Sequence, residues 1–269
     1  MSKLPSLVEM LESGVHFGHQ SGRWHPKMKQ YIFGSRNGVH IIDVEKTSRI
    51  LEKTLEYVKG VVARGGVVLF VGTKRQAAPI VEAAAKSCQM PYITNRWLGG
   101  TLTNFVQIKR VLRRLKDLKF QHETGALKKY TKFEQLEFAR EIEELEHKIG
   151  GIQDLEKKPE IMFVVDTRHE KTAVDEAKVS DTTIVAMCDT NVSPVGIQYC
   201  IPANDDAVKS ITLIANLIAE AASEGRVEGD KIKASAKLAA EKSAAAAVAA
   251  KASAPAPVMA PVAAVAGKK

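Results

Sequence analysis

The sequence predicts an α/β fold of three layers, with helices covering both faces of a central parallel sheet. Three observations predict it. Short apolar runs (Val67–Val71, Ile161–Val165, Ile184–Met187) carry no polar residue on either face, as strands buried on both sides require. Stretches with helical spacing separate them. The first two runs end at Gly72 and Asp166, where the chain must turn into the next helix.

The elements follow in order. Tyr31–Phe33 and Val39–Ile42 flank Ser35-Arg36-Asn37-Gly38, and Asn-Gly between apolar segments predicts a hairpin. Thr47–Ala63 reads as a helix because Ile50, Leu51, Leu55, Val58 and Val62 fall on one face. The strand Val67–Val71 leads into a helix over Gln76–Lys86, and Ile161–Val165 into one over Lys171–Lys178. Ile184–Met187 and Tyr199–Ile201 supply two more strands, and Ala207–Ala222 a last helix with Val208, Ile211, Ile214, Ala215 and Ile218 in register. The expected class is the three-layer αβα fold of flavodoxin-like and Rossmann-like proteins.

Two segments stand outside the alternation. Within Thr101–Gly150, Phe105, Ile108, Leu112 and Leu115 form one heptad seam and Phe138, Ile142, Leu145 and Ile149 another. They predict an inserted antiparallel coiled-coil hairpin whose base the body must hold, since each seam is about two heptads long. From residue 230 the chain has 17 alanines in 40 residues and prolines at 255, 257 and 261. Alanine favours helix but buries too little surface to offset ordering entropy, so a frayed, helical-to-disordered Ala-rich tail is expected. The expected domains are therefore a discontinuous α/β body (1–104 and 151–228), a hairpin (105–150) and an Ala/Lys/Pro tail (229–269).

Composition narrows the function. No run approaches the ~20 apolar residues of a membrane span. Glu9 and Glu12 interrupt the place of a leader's apolar core, and three cysteines without CxxC spacing suit a reducing cytoplasm. The net charge of +8 is uneven: +12 over residues 1–120, −9 over 121–229 and +5 beyond. A basic first half predicts a polyanionic partner.

Candidate chemistry is weaker. Gly72-Thr73-Lys74-Arg75 follows a strand but matches neither GxxxxGK[ST] nor GxGxxG, so a phosphate contact through Lys74 and Arg75 is expected rather than a bound mononucleotide. His16, His19 and His25 cluster in sequence without finger spacing or nearby acids, so no metal is expected. Asp166, Asp189, Asp205 and Asp206 fall at strand ends without a nucleophile or base, so they read as caps, Asp205 and Asp206 for the helix from Ala207. No catalytic residue, metal or cofactor is assigned.

Three basic stretches agree with one another. Arg23, Trp24, Lys27, Lys29 and Tyr31 interleave cations with aromatics, and Ser13–His40 has no Asp or Glu at all. Arg96-Trp97-Leu98-Gly99-Gly100 repeats the pattern. Lys109, Arg110, Arg113, Arg114, Lys116 and Lys119 line the first hairpin arm against Asp117 alone, whereas the second arm mixes signs. Guanidinium forks suit phosphate oxygens and exposed rings suit unpaired bases. The expected RNA-binding residues are Arg23, Trp24, Lys27, Lys29, Arg36, Lys74, Arg75, Arg96, Trp97, Arg110, Arg113 and Arg114, with Trp24 and Trp97 as stacking rings or core.

Several motifs carry a family resemblance: His16-Phe17-Gly18-His19, Trp24 with Pro26-Lys27-Met28, Phe70–Ala77, Asn95–Phe105, Asp189-Thr190-Asn191 and Ile201–Ala207. In this order they resemble the bacterial small-subunit ribosomal protein S-two family, from about residue 4 to 225. The resemblance implies a non-catalytic protein of the cytoplasmic ribosome. It implies binding to small-subunit ribosomal RNA at the head–body junction and contact with the third, fifth and eighth small-subunit proteins. It further implies help in attaching the large S-one protein, with no membrane and no small-molecule substrate. The chain departs from the family pattern over Lys178–Thr183 and Ser193–Gln198. A nucleotide-dependent enzyme using the Gly72–Arg75 loop and a protein adaptor using the hairpin are the rival readings.

Overall fold

The computed structural model describes residues 4–252. In chain order the elements are α1 (Leu7–Glu12), β1 (Phe17–Gln20), β2 (Ile32–Arg36), β3 (Val39–Ile42), α2 (Val44–Ala63), β4 (Val68–Val71) and α3 (Ala78–Cys88). They continue with β5 (Tyr92–Ile93), α4 (Phe105–Glu123), α5 (Lys132–Ile149), β6 (Ile161–Val165), α6 (Lys171–Val179), β7 (Thr183–Cys188), β8 (Tyr199–Pro202) and α7 (Val208–Ala252).

Strands β5-β4-β6-β7-β8 form a five-stranded sheet, every neighbouring pair parallel. Alternation along each strand divides its side chains between two cores. Phe70, Phe163, Val185 and Ile201 face one cluster with Leu51 and Val58 of α2, Val81 of α3 and Ile214 of α7. Leu69, Val71, Met162, Val164, Ile184 and Ala186 face the other, with Ala173 and Val174 of α6 and Leu112 and Leu115 of α4. Two dry faces on one sheet are why these strands read as continuous apolar runs. The predicted αβα layering is what forms.

A separate antiparallel sheet, β1-β3-β2, precedes it. Its β2–β3 turn places Asn37 at φ 52° and Gly38 at φ 77°, the two left-handed positions of a type I′ turn. Strands β1 and β5 and helix α1 are absent from the sequence reading. They are too short, at four, two and six residues, to show a period.

Helix α4 is followed by a turn and α5. Ile108, Leu112, Leu115 and Ile149 are buried, and Phe105, Ile142 and Leu145 pack partly buried on the same core. The side chain of Thr131 and that of Glu134 close a capping box at the start of α5.

Helix α7 runs well past the predicted Ala222. Gly225 and Gly229 are needed by the approach to α2. A Cβ on either would lie 2.5 Å from a backbone oxygen, that of Lys59 or of Ala63. The side-chain ammonium of Lys59 adds ion pairs to Glu224 and Glu228 at 3.5 and 3.2 Å. Residues to Gly229 form one compact unit and those from Asp230 another. Of the expected tail, the part to Ala252 is helical and the rest lies outside the described residues.

Candidate nucleic-acid interface

The loops after β7 and β8 hold the small sheet. The His19 amide donates to Thr190 Oγ1 at 3.0 Å, the His25 amide to the Thr190 carbonyl at 2.7 Å and the Asn204 amide to the Val15 carbonyl at 3.2 Å. His19 Nδ1 lies 2.8 Å from Asp189 Oδ2, and this hydrogen bond raises the imidazole pKa against the opposing effect of burial.

Next to it, Lys74 Nζ reaches Asp166 Oδ2 and Asp205 Oδ1 at 3.4 Å each, the Asp205 carbonyl at 3.3 Å, and Asp206 Oδ1. Burial favours a neutral lysine here, but the Asp206 hydrogen bond and the charges of Asp205 and Asp166 win, and its pKa is raised. The cost appears on Asp205. Burial, then the charges of Asp166 and Asp189, push its carboxyl up to about 7 while Lys74 opposes them. One Asp205 oxygen, Oδ2, has no hydrogen-bond partner.

Two expectations change here. An ammonium has three protons, and four acceptors already surround that of Lys74, so none is left for a phosphate. The acids around the Gly72–Arg75 loop outnumber the bases and would repel a nucleotide's phosphates. Before α7 it is Asn204 Oδ1, not Asp205 or Asp206, that accepts from the Asp206 and Ala207 amides, at 2.9 and 3.2 Å. Asp166 does cap locally, accepting from the Arg168 and His169 amides at 3.0 and 3.1 Å. Among the described residues the three histidines do not meet as one ligand set; His25 Nδ1 accepts from the Lys27 amide and burial lowers the His16 pKa. Instead His19, Asp205 and Asp206 bring one ligand atom each within 4.8 Å, a set to which Lys74 already supplies positive charge.

A second acid organises the segment before α4. Glu176 of α6 accepts from Trp97 Nε1 at 3.0 Å and from the Gly100, Leu102 and Thr103 amides at 2.7, 3.0 and 3.3 Å. The Thr103 hydroxyl also donates to it, at 3.2 Å. Burial alone would raise its pKa; these donors overcome that and lower it. Trp97 is only 8% exposed. It is therefore a core ring tied to Glu176, not a surface on which a base can stack. The sequence offers little sign of Glu176, an acid among many on an ordinary helix.

The remaining cations face outward. Arg23, Lys27, Lys29, Arg36, Arg75, Arg96, Arg110, Arg113 and Arg114 are all exposed, and Trp24 is half-buried with its ring 5.3 Å from that of His40. On α4 the charge is partly spent within the chain. Arg114 forks onto Glu141 at 2.6 and 3.0 Å, Lys119 meets Glu146 at 2.7 Å, Lys116 meets Asp154 at 3.0 Å, and Lys109 lies over the Phe105 ring. Arg110 donates to Gln107 Oε1 at 3.4 Å. Among the described residues no carboxylate lies within salt-bridge distance of Arg23, Lys27, Lys29, Arg36, Arg75, Arg96, Arg110 or Arg113. A rigid body bearing unpaired guanidinium and ammonium groups can neutralise a phosphate backbone.

The chain is similar to known proteins. The family described as Ribosomal protein S2 matches residues 10–225. Small ribosomal subunit protein uS2 of Mycobacterium leprae (strain TN) is 48% identical over 218 residues, covering 81% of this chain and 79% of the relative.

Proposed function

The chain belongs to the ribosomal protein S2 family, a structural and non-enzymatic constituent of the small ribosomal subunit in translation, and from that premise we propose that it binds small-subunit ribosomal RNA at the head–body junction of the cytoplasmic ribosome. The observation that supports this reading is the set of exposed cations that have no carboxylate partner among the described residues. Arg23, Lys27, Lys29, Arg36, Arg75, Arg96, Arg110 and Arg113 contact phosphates, Arg114 joins them by exchanging Glu141, and Trp24 is the stacking ring. The protein works by placement: phosphate contacts fix register and orientation, and the sheet holds them rigid.

In this reading α4 and α5 form an antiparallel coiled-coil arm on the α/β body, with the Ala-rich residues from 229 as a tail. The arm and the acidic second half meet neighbouring small-subunit proteins and help to attach the large S-one protein. Sedimentation tests the reading. Tagged full-length protein is expected to co-migrate with small subunits through a sucrose gradient. The combined R110Q/R113Q/R114Q variant is expected to stay near the top as salt rises. Equal co-migration of variant and parent at every salt concentration would count against this face.

A further inference from the structure

A groove of about 840 Å³ opens between the segment before β2, the outer side of α2 and the approach to β8. Tyr31, Ile50, Ile197, Tyr199 and Cys200 line its interior. Lys27, Lys29 and Lys53 also line it, and among the described residues no Asp or Glu does. That is a property of the chain as well as of the fold: Ser13–His40 and Asn191–Ala203, which supply two of the walls, contain none of the 31 acids. The walls are braced. Lys46 Nζ donates to the Gln30 carbonyl at 2.8 Å, the Asp43 amide to the Tyr31 carbonyl at 2.9 Å, and the Tyr199 ring stacks on Tyr57 at 4.7 Å.

We propose that this groove takes one unpaired nucleotide of the bound RNA, its base against the apolar and aromatic interior and its flanking phosphates on Lys27, Lys29 and Lys53. The inference rests on the RNA-binding reading above and deepens it. Charge complementarity selects an anion. Continuity with the unpaired cations of Arg23–Arg36 selects RNA over an acidic peptide, because one backbone can run from that surface into the groove. The ring-lined interior suits a flat base, whose stacking tolerates any sequence. Lys53, on α2, is absent from the RNA-binding residues expected from sequence; the fold makes it line the same groove as Lys27.

The test uses the full chain, small-subunit ribosomal RNA carrying 4-thiouridine, near-ultraviolet cross-linking and filter binding. Cross-links are expected on the peptides bearing Tyr31 or Tyr199. Val195→Trp, which fills the groove from an exposed position, is expected to abolish them and to lower affinity about fivefold. Lys53→Gln, which leaves the interior intact, is expected to reduce the salt slope of binding by about 0.7, as for one contact to a single strand. RNA that binds with no groove cross-link and with unchanged affinity in Val195→Trp overturns the groove and leaves the wider reading standing. Failure of the unaltered chain to bind overturns both. Saturable binding of poly-glutamate that Val195→Trp removes, with no RNA cross-link, assigns the groove to a protein and overturns the nucleotide.

Discussion

Replacing Glu176 by Ala is expected to loosen the segment that carries Arg96 and starts α4. The carboxylate accepts five hydrogen bonds, from Trp97 Nε1, three amides and the Thr103 hydroxyl. Thr103 is exposed, so water can replace its bonds, whereas Trp97 and Leu102 are buried. Two stranded buried donors at roughly 1–3 kcal/mol each give a cost of about 3 kcal/mol. For a chain of this size that corresponds to a fall in Tm of about 6–12 °C. Urea unfolding followed by tryptophan fluorescence measures it, and Trp97 emission in the native state is expected to shift to the red. The carboxyl pKa is lowered in the fold, so its stabilisation is complete above the unfolded value near ~4.3 and is lost as pH falls through the folded one. Glu176→Ala is therefore also expected to flatten the acid limb of the stability profile. A cost below about 1 kcal/mol with unchanged emission would refute the clamp.

Three further substitutions test the packing of the fold. Lys74→Met removes the cation shared by Asp166, Asp205 and Asp206 and is expected to cost about 3 kcal/mol in urea unfolding at neutral pH; a neutral result would mean that water already solvates these acids. Asp205 has its folded pKa raised to about 7, so its ionisation penalises the fold at high pH and is relieved as pH falls from 7 towards the unfolded value near ~3.9. Asp205→Asn is expected to gain stability relative to the parent between pH 5 and pH 8, and parallel urea midpoints at the two pH values would contradict that. Gly225→Ala gains about 1 kcal/mol of helix propensity but drives a methyl to 2.5 Å from the Lys59 carbonyl. Overpacking of about 2–3 kcal/mol wins, and calorimetry is expected to show a Tm lower by a few degrees.

The five-stranded sheet was legible because burial on both faces leaves an unbroken apolar run, as in Ile161–Val165. The end of α7 was not, because Gly225 looks like a stop until α2 lies against it. The candidate site divides in the same way. A run without acids, Ser13–His40, announces exposed cations in one dimension. Which cations are already spent depends on partners far away in sequence. Lys74 meets carboxylates 92 to 132 residues on, and Arg114 meets Glu141 27 residues on. The motifs around His19, Asp189 and Asp205 fasten the two sheets together, while exposed cations such as Arg110 and Arg113 sit in a segment with no such motif.

The most direct measurement is the salt dependence of binding between the full chain and small-subunit ribosomal RNA. Among the described residues Arg110 and Arg113 have no carboxylate partner, whereas Arg114 forks onto Glu141. Each unpaired arginine that meets a phosphate of duplex RNA contributes about 0.9 to the slope of log K against log salt, the figure for a B-form helix. The double variant R110Q/R113Q is expected to lose close to two units of slope and R114Q distinctly less than one. An unchanged slope in R110Q/R113Q would contradict the claim that these unpaired cations clasp the RNA.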